Sequence, residues 1–127
     1  MVSLVIVSHS EKIAKGIKEL ALQMAPDVKI EIAGGTGDGR IGTDCLNIMN
    51  AINNAYSDDG VLILFDLGSA LMNSEMALDF MENIDKSKVK IAKCAIVEGA
   101  IAGAVEASIG KTIDEILEAL ESYRINK

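Results

Sequence analysis

The sequence predicts a three-layer α/β/α fold, with a mainly parallel sheet of four strands and room for a short fifth strand at one edge. Two observations carry this. Apolar β-branched runs and segments of helical period alternate four times along the chain. Such alternation requires crossover connections between parallel strands. Half of the residues are apolar while aromatics make up only 3%, so a core can be buried but must be built from Ile, Leu, Val, Ala and Met. A length of 127 residues, without linker, internal repeat or low-complexity tract, suits one domain spanning residues 1–127.

The first element is "VSLVIV", Val2 to Val7, a short run that reads as a strand buried on both faces. From Glu11 the period becomes helical: Ile13, Ile17, Leu20, Ala21 and Met24 mark the expected buried stripe, with Ser10 as N-cap and Pro26 and Asp27 as the stop. "VKIEIA", Val28 to Ala33, alternates like a half-buried strand near a sheet edge. The loop "GGTGDGRIG" holds five of the chain's 11 glycines in nine residues, and Thr43 or Asp44 then starts a second helix through Leu46, Ile48, Met49, Ile52 and Tyr56.

"VLILF", Val61 to Phe65, is the third strand. "DLGSALMNSE" leads from it into a helix whose Met72, Met76, Phe80 and Ile84 are expected in the core. "VKIAKCAIV", Val89 to Val97, reads as the fourth strand. "EGAIAGAVEASIG" has almost no side-chain bulk, which suits close packing inside the fold or against another subunit. A last helix runs from Ile113 through Ile116, Leu117 and Leu120 to Tyr123.

Charge and cysteines narrow the function classes. A formal charge of -7 argues against nucleic acid, which selects a clustered basic footprint, and against an anionic membrane surface. The N-terminal apolar run is too short for a signal peptide or a membrane span, so a cytoplasmic protein is expected. Cys45 and Cys94 form no CxxC pair, and no His/Cys ligand cluster is present. They read as buried, reduced thiols, and no metal site is expected.

In an open parallel sheet, ligands bind outside the carboxyl ends of the strands. The segments leaving those ends are "SHSE", "GGTGDGRIG", "DLGSA" and "EGAIAG". The chain's one histidine, His9, lies just beyond the first strand, and Asp66 takes the matching place beyond the third. An imidazole is a good nucleophile near neutral pH. A carboxylate bonded to one ring nitrogen fixes the tautomer, leaves the other lone pair outward, and stabilises the cation formed on attack. The N–H groups of a helix start can hold a phosphoryl group on the ring. The pattern suits transient phosphorylation of His9, with Asp66 as its partner. Gly68, Ser69 and Ser10 are candidate phosphoryl-binding residues, and Gly35, Thr36 and Arg40 are further candidates from the glycine loop. That loop fits neither GxxxxGK[ST] nor GxGxxG.

The stretches "VSHSEKIAKGI", "AGGTGDGRIGTD" and "LFDLGSALMNSEMA" resemble the phosphoryl-carrier subunit of the phosphotransferase-dependent dihydroxyacetone kinase, a member of the mannose-type IIA fold of the sugar phosphotransferase system. The resemblance covers essentially the whole chain. It implies that His9 accepts a phosphoryl group from the carrier protein HPr and passes it to ADP held on a partner kinase subunit, regenerating ATP there. It also implies a homodimer, an orienting role for Asp66, phosphorylation on the ring nitrogen facing away from Asp66, and no cofactor on this chain beyond the phosphohistidine itself. Some members of that branch carry further carrier-like domains. This chain ends at Lys127, so its donor is expected to be a separate protein.

Three other readings stand beside it. A sugar-specific IIA component would use the same histidine but pass the group to a IIB protein. Such domains resemble "DxxGGSP" after the third strand, where this chain has "DLGSA". A regulatory domain switched by His9 phosphorylation needs the same site. A receiver-type domain phosphorylated on Asp66 is disfavoured, because Ser8 and His9 stand where a metal-binding acidic pair is expected.

Overall fold

The computed structural model describes residues 1–127. Its four strands are β1 (Ser3–Ser8), β2 (Ile30–Gly34), β3 (Val61–Phe65) and β4 (Val89–Ala92). They form one sheet of order β2-β1-β3-β4, with every adjacent pair parallel. The helices are α1 (Glu11–Met24), α2 (Cys45–Ala55), α3 (Gly68–Phe80), α4 (Ile96–Ser108) and α5 (Ile113–Ala119). A 3-10 turn, Leu120–Tyr123, follows α5. In place of a fifth strand there is a single antiparallel bridge between Cys94 and Arg124.

Alternate strand residues build two separate cores, as the period of a strand dictates. Leu4, Ile6, Leu62 and Leu64 pack on one face with α1, α4 and α5. Val5, Val7, Ile63 and Phe65 pack on the other with α2 and α3. Because both faces are covered, β1 and β3 need unbroken apolar runs, which is why they stand out in the sequence.

The helices turn differently from the expected stripes. In α1 the buried residues are Ala14, Ile17 and Ala21, while Ile13 and Met24 are 51% and 62% exposed. In α3 the sheet-facing residues are Ala70, Ser74 and Ala77, while Met72 and Phe80 are 70% and 64% exposed and Met76 is also outward. Small residues win the inner face because they let a helix axis approach the sheet closely. The bulky ones are left at the surface. The small-residue stretch of α4 packs internally: Gly99, Ala100, Gly103, Ala104 and Ala107 are all buried.

Other boundaries also move. β2 starts at Ile30 rather than Val28, and it is the edge strand. β4 stops at Ala92, and Ile96 and Val97 belong to α4. Cys94 is buried, but Cys45, in the first turn of α2, is only half-buried.

Gly34 closes β2 under the first turn of α1. A Cβ there would lie 2.7 Å from the Glu11 Cα and 2.8 Å from the Ala14 Cβ. Backbone atoms cannot step aside as a flexible side chain can. Gly34→Ala is therefore expected to lower stability by about 1–3 kcal/mol, measured as the shift in a urea unfolding curve. An unchanged curve would mean that α1 is free to slide on β2.

Candidate active site

Strand order brings His9 and Asp66 together. From β1 the chain crosses one way to β2, and β3 lies on the other side of β1, so the loops after β1 and β3 diverge and leave a crevice at their carboxyl ends. Val7 pairs with Phe65, and the Asp66 N–H donates to the Val7 carbonyl at 3.2 Å. His9 and Asp66, 57 residues apart in sequence, thereby share one rim.

The Asp66 carboxylate accepts four hydrogen bonds. Its Oδ1 receives the His9 ring at Nδ1 (2.9 Å) and the Leu67 N–H (2.7 Å). Its Oδ2 receives the His9 backbone N–H (2.9 Å) and the Ser8 hydroxyl (2.9 Å). Burial pushes the Asp66 carboxyl up, but the bonds from His9, Leu67 and Ser8 outweigh it and hold its pKa below the ordinary carboxylate value. An ionised carboxylate can only accept, so His9 Nδ1 carries the ring proton. Nε2 is left with its lone pair, facing the Ser69 hydroxyl at 2.7 Å. The ring is 20% exposed and the carboxylate 16%. The bond at Nδ1 is part-buried and the one at Nε2 exposed, so the nitrogen that keeps its lone pair is the one nearer the surface.

Ser69 and Gly68 open α3, whose N-cap residue, Leu67, has no side chain able to cap it. The N–H groups of Gly68 and Ser69 in that first turn have no intrahelical partner, and the Ser69 hydroxyl brings the turn to Nε2. Ser10 caps α1 by accepting the Ile13 N–H. Its own N–H donates to the Ser8 hydroxyl at 3.1 Å, so it supports the site through Ser8.

The glycine-loop candidates stand differently. Gly35 donates its N–H to the Ser8 carbonyl at 3.0 Å and needs its positive φ of 69°. Thr36 and Arg40 both bond Asp38 within the loop, and the exposed Arg40 guanidinium pairs with that carboxylate at 2.9 Å. None of the three hydrogen-bonds to His9 or Asp66. The loop is tied to the site through its far end, where the Gly42 N–H donates to the His9 carbonyl at 2.8 Å.

Two residues escaped the sequence reading. Ser8 is fully buried and joins Asp66 to the start of α1; a serine ending an apolar strand carries no signal of that bond. Lys127 donates from Nζ to the carbonyls of Phe65 (2.5 Å) and Asp66 (3.1 Å). Burial pushes its pKa down, opposed by the negative charge of the Asp66 carboxylate. No group of three His, Cys, Asp or Glu side chains is placed to hold a metal ion. No helix is long and apolar enough to cross a membrane.

Comparison with known proteins accords with this geometry. Residues 3–117 match the EIIA-man family model, described as the PTS system fructose IIA component. The chain is 41% identical to the phosphoryl donor subunit DhaM of the PEP-dependent dihydroxyacetone kinase of Klebsiella michiganensis, over 98% of this chain but only 28% of that protein's length. It is 38% identical to DhaM of the PEP-dependent dihydroxyacetone kinase 2 of Listeria innocua, over 94% of this chain and 97% of that one. The crystal structure of the unknown-function protein EF1359 superposes with a TM-score of 0.86 at 36% identity, covering 98% of this chain and 96% of that one. With a fold of this layering and matches of this extent, the chain belongs to the EIIA-man family of phosphotransferase-system IIA components, in the branch of the DhaM phosphoryl donor subunits.

Proposed function

We propose that residues 1–127 act as one phosphohistidine carrier domain, the phosphoryl donor component of a phosphoenolpyruvate-dependent dihydroxyacetone kinase. His9 Nε2 attacks the phosphorus of the phosphohistidine on the donor protein HPr. The new Nε2–P bond forms as the donor's N–P bond breaks, and the donor imidazole keeps the electron pair. In the second transfer an oxygen of the terminal phosphate of ADP, held on the partner kinase subunit, attacks the same phosphorus. The Nε2–P bond breaks and ATP forms on that subunit, to phosphorylate dihydroxyacetone.

The observation that carries this reading is the division of labour on one ring: Nδ1 is fixed by Asp66 at 2.9 Å, and the Nε2 lone pair is directed outward. Asp66 holds the tautomer and compensates the positive charge that the ring acquires. The Ser69 hydroxyl leaves Nε2 on attack and turns to donate to a phosphoryl oxygen, joined by the free N–H groups of Gly68 and Ser69. Positioning and charge stabilisation account for most of the catalysis in transfers of this kind. The names of the relatives, which are phosphoryl donor subunits of dihydroxyacetone kinases, support ADP on a kinase subunit as the acceptor over a IIB protein. By the same resemblance the carrier works as a cytoplasmic homodimer.

Labelled phosphate supplied as phosphoenolpyruvate, with the two general phosphotransferase proteins, tests the proposal. Acid-labile label is expected on this chain, and it is expected to be discharged by the ADP-bearing kinase subunit. Label that passes only to a IIB protein would select the sugar-specific reading. Label that no acceptor discharges would select the regulatory one, and absence of label would end all three.

A further inference from the structure

The pairing of β3 with β4 ends at Leu64 and Ala92, one residue short of the end of β3. Beyond that point the carbonyls of Phe65 and Asp66 have no ladder partner on the β4 side. The Lys127 ammonium occupies that place, bonding both carbonyls at 2.5 and 3.1 Å and lying 4.6 Å from the centroid of the Phe65 ring. The segment that carries it is itself anchored. Ala95 N–H donates to the Tyr123 carbonyl at 2.9 Å, Ile125 N–H donates to the Lys93 carbonyl at 3.3 Å, and Arg124 bridges Cys94. Asp66 is therefore held at both ends: four donors fix its carboxylate, and Lys127 fixes its main-chain carbonyl.

We propose that Lys127 is a positioning residue for His9, acting through Asp66: its ammonium fixes the strand end from which the carboxylate projects, and so sets the ring's tautomer and orientation. The ammonium stands in for a missing strand residue, supplying two donors where a longer β4 would supply one N–H. It also places a positive charge against the carbonyl end of a strand that is followed directly by an anionic residue, Asp66. A neutral side chain of similar length would keep the contact with Phe65 but free the two carbonyls, and Asp66 could then tilt. A shift on the order of an ångström at a reacting group costs up to a hundredfold in rate.

This inference rests on the carrier reading only for its effect on transfer. Its primary readout is independent of that reading. Because His9 is the one histidine in the chain, its ring nitrogens can be followed without assignment by 15N NMR of the unphosphorylated protein. Lys127→Met is expected to broaden the Nδ1 and Nε2 signals or move them towards a mixture of tautomers, with the amide spectrum still that of a folded protein. Lys127→Arg, which keeps charge and donors, is expected to restore the wild-type ring signals. Transfer from phosphorylated HPr should fall by roughly tenfold or more in kcat for Lys127→Met, with KM for HPr unchanged and with recovery in Lys127→Arg.

A folded Lys127→Met protein with wild-type ring signals would overturn the proposal, even if it unfolds at lower urea, since that is a stability role alone. Loss of signal dispersion in Lys127→Met shifts the decision to Lys127→Gln, read by the same ring signals. If wild-type protein takes no phosphate from HPr, the carrier reading fails, while the ring signals still decide the role of Lys127.

Discussion

His9→Ala protein is expected to remain folded and to take up no acid-labile phosphate from phosphorylated HPr. The chain has no second histidine to substitute, so the loss should be complete rather than partial. Stability should change little. His9 lies at the rim, and after truncation Asp66 keeps three of its four donors: the Ser8 hydroxyl and the N–H groups of His9 and Leu67. The lost bond to a charged acceptor is worth about 1.5–3 kcal/mol, an upper bound here because the site is open to water on one side. Urea unfolding and a gel assay of labelled protein check the two halves separately. Label on the alanine protein would move the phosphorylated group elsewhere, and an unfolded protein would make His9 a structural residue.

Asp66→Asn is the second large effect, expected to slow phosphoryl acceptance by roughly 10²- to 10⁴-fold. An amide replaces one accepting oxygen by a donor. Placed at the Oδ1 position, its NH2 faces the ring and forces the proton onto Nε2, which removes the nucleophilic lone pair. Placed at the Oδ2 position, it meets the His9 N–H and the Ser8 hydroxyl, both of which donate there in the wild type. Either way the negative charge that balances the phosphorylated ring is gone. Rapid-quench measurement of a single turnover checks this, and a wild-type rate would remove Asp66 from the mechanism.

The same carboxylate makes stability pH-dependent. Its folded-state pKa lies below its value in the unfolded chain. The resulting stabilisation is fully present above about pH 4 and is lost as pH falls through the folded-state value. Acid unfolding of Asp66→Asn should lack this component, making its stability curve flatter than that of the wild type below that pH.

Much of the site was legible because strand ends are legible. "VSLVIV" and "VLILF" are buried on both faces, and the residues that end such runs fall at the rim of a parallel sheet. What was not legible depends on contacts between distant segments. The adjacency of β1 and β3, which turns two rim residues into a bonded pair, leaves no trace in local pattern. Ser8 and Lys127 act through bonds to residues about 60 positions away. Bulk is a poor mark of the buried helix face here: Ile17 and Ala21 are buried as expected, but Ala14, Ala70 and Ala77 line the sheet where larger residues are expected. The end of β4 was misplaced because Ile96 and Val97 prolong an apolar run that the chain uses to begin α4.

β1 is buried along its whole length, and the His9 amide bonds the carboxylate that follows β3. In dynamic terms the two site residues lie at the rim but are bonded directly to core strands, the kind of element that opens last in a domain. The glycine loop can fluctuate on the fast timescale of surface loops without moving the imidazole, since its links to the site are main-chain bonds to Ser8 and His9 rather than to the ring. In the proposed carrier cycle, entry and exit of partner proteins can therefore be rapid and imprecise at the periphery, while the proposed acceptor nitrogen keeps its place between one encounter and the next.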